Sequence, residues 1–268
     1  MMLMENLRAE YYLACELTLA TGRLLTEFRR DKLNIKHKGE INLVTAADRA
    51  AEDYLRERLG AERPGDSILG EEGGGDISGE RVWVVDPLDG TTNYAHGYPA
   101  WCVSIAVMSG GRSVLGAVYD PSHDELFSAQ SGRGAWLNGR QLTVSRQVAL
   151  DQAFITTGFP YDLREHPDEV LAPFNAMVKS TLGVRRPGSA ALDLCYVAAG
   201  RFDGFWEFGL FPWDTAAAAL MVTEAGGRIT NREGDDWHPK QKFIAASNGL
   251  IHDDFLRIIN SSTGGGEK

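Results

Sequence analysis

Near residue 148 the periodicity of the apolar residues changes, and that change limits the chain to a mixed α and β architecture. Before it, over residues 103–142, short apolar stretches alternate with turn signals at Gly110-Gly111, Gly132 to Gly134 and Asn138-Gly139, which predicts a meander of strands. After it, helix-length segments at 169–181, 189–199 and 213–225 alternate with strand-length runs at 153–157, 202–208 and 243–246. A terminal helix follows, and the glycine-bearing tail from Ser261 is expected to be disordered. Upstream, Leu13, Leu17, Ala20, Leu24 and Phe28 line one face of a helix over 5–30, and Thr45 reads as the N-cap of a second helix ending at Leu59. The expected organisation is an α+β half, residues 1–148, and an α/β half, residues 149–268, packed as one compact unit.

Composition narrows the function classes. The 268 residues are 43% hydrophobic and 24% charged, an ordinary soluble balance. No apolar run approaches the roughly 18 residues of a membrane span. Glu5, Arg8, Glu10 and Glu16 interrupt the apolar amino terminus, so no secretory leader is read there. Cys15, Cys102 and Cys195 are too scattered for a disulfide or zinc framework and read as free thiols in a reducing, cytoplasmic setting. A formal net charge of −10 argues against nucleic acid as a partner. An anionic substrate would need bound cations to reverse the local field.

The chemistry concentrates in Trp83-Val84-Val85-Asp86-Pro87-Leu88-Asp89-Gly90-Thr91-Thr92-Asn93. An apolar strand runs directly into Asp86, and Pro87 favours a turn that brings Asp86 and Asp89 together. Two carboxylates and the Leu88 carbonyl can then face one point, an oxygen set suited to a hard cation. The amides of Gly90, Thr91 and Thr92 would open the next helix, where an anion is favoured. Taken alone, the same residues also make an ordinary surface turn. Gly70-Glu71-Glu72 adds carboxylates on a flexible glycine-rich loop over 70–79. Asp214, in Trp213-Asp214-Thr215, starts an alanine-rich helix, where an aspartate also simply suits the helix N-terminus. Asp48 reads equally as a solvated helix residue, and His96 and His123 as structural histidines.

Together these stretches resemble the inositol monophosphatase family of lithium-sensitive, magnesium-dependent sugar phosphatases. The matching elements fall in order: Asn42-Leu43-Val44-Thr45 with Asp48, Gly70-Glu71-Glu72, the segment from Asp86 to Asn93, Gly188-Ser189-Ala190-Ala191-Leu192-Asp193-Leu194, and Trp213-Asp214 with Glu224-Ala225-Gly226-Gly227. The resemblance implies a layered αβαβα sandwich, a homodimer, and two Mg²⁺ ions with room for a third. It implies Glu71, Asp86 and the Leu88 carbonyl as ligands of one ion, and Asp86, Asp89 and Asp214 as ligands of the second. Water would attack phosphorus in line, oriented by Glu71 and by Thr91, whose hydroxyl Asp48 holds.

Substrate contacts are implied for Asp89, Gly90, Thr91, Thr92, Ala190, Asp214 and Glu207. Glu207 aligns with the family's hydroxyl-binding glutamate and points to inositol monophosphate. Fructose-1,6-bisphosphatase, histidinol-phosphate phosphatase and 3′-phosphonucleotide phosphatase activities are the alternatives on the same scaffold. A non-catalytic binding protein and a glycosidase are further ones. Arg185-Arg186 reads as a surface or interface pair, with recruitment of extra negative charge as its other reading, and Lys36-His37-Lys38 is given no ligand role.

Overall fold

The structure, a computed structural model, describes residues 7–33, 40–160, 162–165 and 167–263. Helices α1 (Arg8–Leu33) and α2 (Glu40–Glu62) precede a seven-stranded sheet whose strands lie side by side in chain order. These are β1 (Ser67–Gly70), β2 (Arg81–Asp89), β3 (Cys102–Ser109), β4 (Arg112–Asp120), β5 (Glu125–Gln130), β6 (Gly134–Leu137) and β7 (Arg140–Gln141), with a short helix α3 (Thr91–His96) between β2 and β3. The β1–β2 pair is parallel and the rest form the expected antiparallel meander.

The second half supplies β8 (Phe154–Thr157), α4 (Pro167–Ser180), β9 (Gly183–Arg185), α5 (Ala190–Ala198), β10 (Gly204–Phe208), α6 (Pro212–Glu224), β11 (Arg228–Thr230), β12 (Phe243–Ser247) and α7 (His252–Thr263). Its five strands are ordered β11-β12-β10-β8-β9; β8 runs parallel to both β9 and β10, and β12 antiparallel to both its neighbours.

Five layers result, as the αβαβα expectation requires. Helices α1 and α2 cover one face of the large sheet, α5 and α6 lie between the two sheets, and α4 and α7 cover the far face of the small one. The position of α6 follows from its composition. Thr215 to Val222 are all buried, and a helix apolar all round belongs in a core rather than on a surface. Pro212 starts it, and Gly226, in the left-handed region at φ +88°, closes it.

Several sequence expectations shift. Helix α2 begins at Glu40, upstream of Thr45, because nothing between them breaks a helix and the apolar face of Ala47, Ala51, Leu55 and Leu59 is already in phase. Helix α7 continues through Ser261 to Thr263, which shortens the expected disordered tail. Residues 264–268, the Lys36-His37-Lys38 stretch and the Asn42 side chain lie outside what is described. The three cysteines are free, Cys102 and Cys195 fully buried. Among the described residues no helix is long and apolar enough to cross a membrane.

Candidate active site

Strand β2 does not end in a turn at Asp86, as local propensity suggests. Its pairing with β3 passes through Asp86 and resumes at Asp89↔Cys102, with an irregularity between the two. Pro87 can sit here because a bulge needs no ladder hydrogen bond at that residue. The Asp86 carboxylate accepts the Leu88 N–H at 2.9 Å, which fixes the bulge from within. On the other side, β1 pairs Gly70 with Val85, so the chain leaving β1 brings Glu71 beside Asp86.

The Glu71 loop is not loose. Glu52, buried in α2, accepts the N–H groups of Glu72 (2.8 Å) and Gly73 (2.7 Å), and Arg56 bonds both Glu52 (2.7 Å) and the Gly74 carbonyl (2.7 Å).

Asp89 is held from the second half of the chain. Its Oδ2 accepts the Ser189 hydroxyl at 2.6 Å and the Ala191 N–H at 2.9 Å, both at the N-terminus of α5, with the Cys102 thiol at 3.7 Å. Gly90 follows at φ +86°, a left-handed conformation, and a Cβ there would stand 2.7 Å from the Ala100 carbonyl, so glycine is required twice over. Thr91 then opens α3. Its hydroxyl donates to the Leu88 carbonyl at 3.1 Å rather than to Asp48, whose buried Oδ1 has no hydrogen-bond partner. The Asn93 amide donates to the carbonyls of Ala100 (2.6 Å), Pro187 (2.9 Å) and Gly188 (3.2 Å), tying α3 to the approach to α5.

Asp214 lies in the first turn of α6 and accepts the Phe211 N–H at 2.7 Å. Glu207 comes from the end of β10 and is 8% exposed.

Five carboxylates, those of Glu71, Asp86, Asp89, Glu207 and Asp214, line one cavity of about 130 Å³ together with Leu88, Gly90, Thr91, Thr92 and Ala190. Of the catalytic, metal-binding and substrate residues that the family resemblance implies, Asp48 alone is not part of its wall. Sequence reasoning missed Gly158, Phe159 and Pro160, and placed Arg186 outward. Arg185 does point away, its guanidinium over the Phe154 ring at 4.7 Å, but Arg186 lines the cavity, 5.5 Å from the Phe159 ring centroid. Strand β9 ends at Arg185, so two adjacent arginines leave on different courses. At the rim Phe211 stacks on Trp213 (4.8 Å, planes 4° apart), and the Lys242 ammonium stands 3.0 Å from the Phe211 centroid.

So much buried acid is electrostatically costly. Burial, then Asp89, raises Asp214 to about 8. Burial, then Asp89 and the other nearby acids, raises Glu71 to about 7, and burial, then Glu71, raises Asp48 to about 7. Asp86 is pushed well up by burial and then by Glu71. Glu207 is pushed well up by burial and then by Asp193, with Arg186 pulling the other way. Burial also raises Asp89, against the hydrogen bonds from Ser189 and Ala191.

The donor set fits a hard divalent cation. It consists of carboxylates and a carbonyl, and the cavity wall contains no histidine or cysteine of the kind a softer metal prefers. Among the described residues no three acidic, histidine or cysteine side chains close on one point as a ready-made cluster. The acids ring the wall instead.

The model of the inositol monophosphatase family matches residues 6–263. An inositol-1-monophosphatase of Mesorhizobium japonicum is 43% identical over 230 residues, 85% of this chain and 86% of that protein. A protein of Pseudomonas aeruginosa named Nus factor SuhB is 46% identical over 226 residues, 82% of this chain and 83% of its own length. The solved structure of an inositol monophosphatase from an Anabaena species superposes with a TM-score of 0.88 at 42% identity, covering 96% of this chain and 97% of the other.

Proposed function

The chain belongs to the inositol monophosphatase family, and from that premise we propose that it hydrolyses a monophosphorylated polyol, inositol monophosphate foremost, with Mg²⁺ as its cation. Membership makes it a phosphoric monoester hydrolase. The finer reading rests on one observation: Glu207 is buried in the wall of the same cavity as four other acids and the first turn of α3. A charged acceptor there suits substrate hydroxyl groups and repels a second phosphate. This favours a monophosphate over the bisphosphate and 3′-phosphonucleotide alternatives, and histidinol phosphate, with its single phosphate, offers no free hydroxyl group to Glu207. Relatives carry two names, and hydrolysis is preferred for this chain because five of its carboxylates line one cavity with the first turn of α3.

Glu71, Asp86 and the Leu88 carbonyl would hold one Mg²⁺ ion, and Asp86, Asp89 and Asp214 a second. Bound there, the cation supplies Lewis-acid polarisation of the phosphoryl oxygens and acidifies water. The chain does the rest. The amides of Gly90, Thr91 and Thr92 bind phosphate. Glu71 takes a proton from the attacking water, and the Thr91 hydroxyl, once it turns from the Leu88 carbonyl to the unpartnered Oδ1 of Asp48, aims that water along the line of attack. The new bond forms from water oxygen to phosphorus as the ester oxygen departs with its electron pair. Asp89, Ala190, Asp214 and Glu207 would hold the polyol. A homodimer, a cytoplasmic location and lithium inhibition belong to the same reading.

A panel of phosphomonoesters and bisphosphates assayed with saturating Mg²⁺ tests it. Inositol 1-phosphate is expected to show the highest kcat/KM. Thr91→Ala is expected to lower kcat about 10²–10⁴-fold at similar KM, the usual loss of a positioned proton relay. A bisphosphate or nucleotide at the top of the ranking would replace the polyol reading. A lower melting temperature with normal kcat in Thr91→Ala would reduce Thr91 to a structural hydroxyl.

A further inference from the structure

Strands β8 and β10 pair in parallel up to Thr157↔Trp206, so Gly158 leaves β8 beside Glu207, which stays in β10 opposite Ile244 of β12. The Thr157 hydroxyl donates to the Trp206 carbonyl at 2.7 Å and locks the end of β8 onto β10. The crossing is tight in both directions. A Cβ on Gly209 would meet the Pro160 Cβ at 2.7 Å. A Cβ on Gly158 would fall on the Glu207 carboxyl group itself, far inside contact distance of its carbon and both oxygens. The space a side chain at 158 would need is thus occupied by the Glu207 carboxylate. The backbone at Gly158 lies outside the left-handed region, so the obstacle to any other residue is this collision and not conformation.

We propose that Gly158 is a specificity-determining position, which lets Glu207 stand in the cavity wall and thereby selects substrates that present hydroxyl groups. The proposal rests on the hydroxyl-binding reading of Glu207. Gly158 is a positioning residue: it offers no side chain to a ligand and acts only through the room it leaves. With alanine at 158, Glu207 must rotate away, because the atoms in conflict are the far end of its own movable side chain, while strand pairing holds the main chain of Glu207 and of Thr157, the residue before Gly158. The cation-binding acids on β2, on the Glu71 loop and on α6 are not touched by that rotation. Selectivity should therefore fall rather than chemistry as a whole.

The experiment compares kcat/KM for inositol 1-phosphate with that for p-nitrophenyl phosphate, which has no aliphatic hydroxyl. Glu207→Gln is expected to lower the ratio about 10–100-fold, the weight of a hydrogen bond to a charged group. Gly158→Ala should lower it by a similar factor, mostly through the KM for inositol 1-phosphate. The double variant should lose no more than the larger single change, since both act through one carboxylate. An unchanged ratio in Gly158→Ala beside a collapsed ratio in Glu207→Gln, or additive losses in the double variant, would overturn the proposal. An equal effect of Glu207→Gln on both substrates would instead remove the Glu207 reading, and the proposal with it. If Gly158→Ala does not fold, Gly158→Ala with Glu207→Ala decides: recovery of a cooperative melt supports the collision, and continued failure to fold refutes it.

Discussion

Replacing Asp214 by asparagine, or stripping divalent cations with excess EDTA, is expected to lower turnover of inositol 1-phosphate by about 10³-fold or more. That is the loss of several kcal/mol of charge stabilisation at the transferring phosphoryl group, at 1.36 kcal/mol per tenfold. Asparagine can still accept the Phe211 N–H, so the first turn of α6 keeps its hydrogen bond and only the charge is lost. Stability should move the other way. Burial and Asp89 make an ionised Asp214 costly when no cation is bound, so the metal-free variant at pH 8 should melt a few degrees above the parent. About 1–2 kcal/mol of relieved strain would do this in a chain of such length. A gain in melting temperature with a collapse in turnover separates a residue that serves chemistry from one that serves the fold. Calorimetric Mg²⁺ binding unchanged in Asp214→Asn would contradict its place as a ligand.

Without Mg²⁺, raising the pH from about 6.5 to about 8.5 should lower the melting temperature markedly, which is unusual for carboxylates. The sign follows from the direction of the shifts. Asp214 is raised from 3.8 to about 8, Glu71 from 4.5 to about 7 and Asp48 from 3.8 to about 7. Between the ordinary and raised values the native state keeps protons that the unfolded chain has released, and stability falls as pH rises. His252 opposes this at lower pH. Burial depresses it to about 4, so between 4 and 6.5 the unfolded chain binds the extra proton and stability rises with pH. Above 6.5 the acids act alone, and their joint effect is on the order of several kcal/mol. On the proposed function, Mg²⁺ binds the ionised acids of the native state only, and saturating Mg²⁺ should flatten or reverse the slope. Melts in EDTA that stay level across this interval would show that the acids are not mutually strained.

The parts of the site legible in the sequence are those carried by short contiguous stretches. Asp86 and Asp89 stand out because an apolar strand runs straight into them, and Asp214 because it starts a helix of alanines. The route of the chain between Asp86 and Asp89 was not legible. Local propensity makes Asp-Pro-Leu-Asp a turn, whereas pairing with β3 carries the strand onward through a bulge. Strands β1, β9 and β11, of three or four residues each, are too short to display a period. Glu207 could be assigned only through the family resemblance, since nothing in Phe-Trp-Glu-Phe marks a binding residue. Gly158 was invisible, and Arg186 undecided between surface and site, for a topological reason. Gly158 meets Glu207 through the parallel pairing of β8 with β10, about fifty residues on, and Arg186 comes to the same cavity from the end of β9, which pairs with β8; sequence spacing records neither neighbourhood.

The grip of α2 on the Glu71 loop determines which positions there are free to drift over evolutionary time. Glu52 and Arg56 hold the main-chain amides of Glu72 and Gly73 and the carbonyl of Gly74, so what they recognise is backbone shape. The Glu72 side chain takes no part in that grip and can vary through many generations without loosening Glu71. Gly70 and Gly73 cannot, because a Cβ at either would stand 2.6 Å from the Glu52 carboxylate. Selection for catalysis thus reaches back into a helix that lines no part of the cavity, and a lineage that lost Glu52 would lose its hydrolase through a displaced Glu71, with no residue of the cavity wall itself substituted.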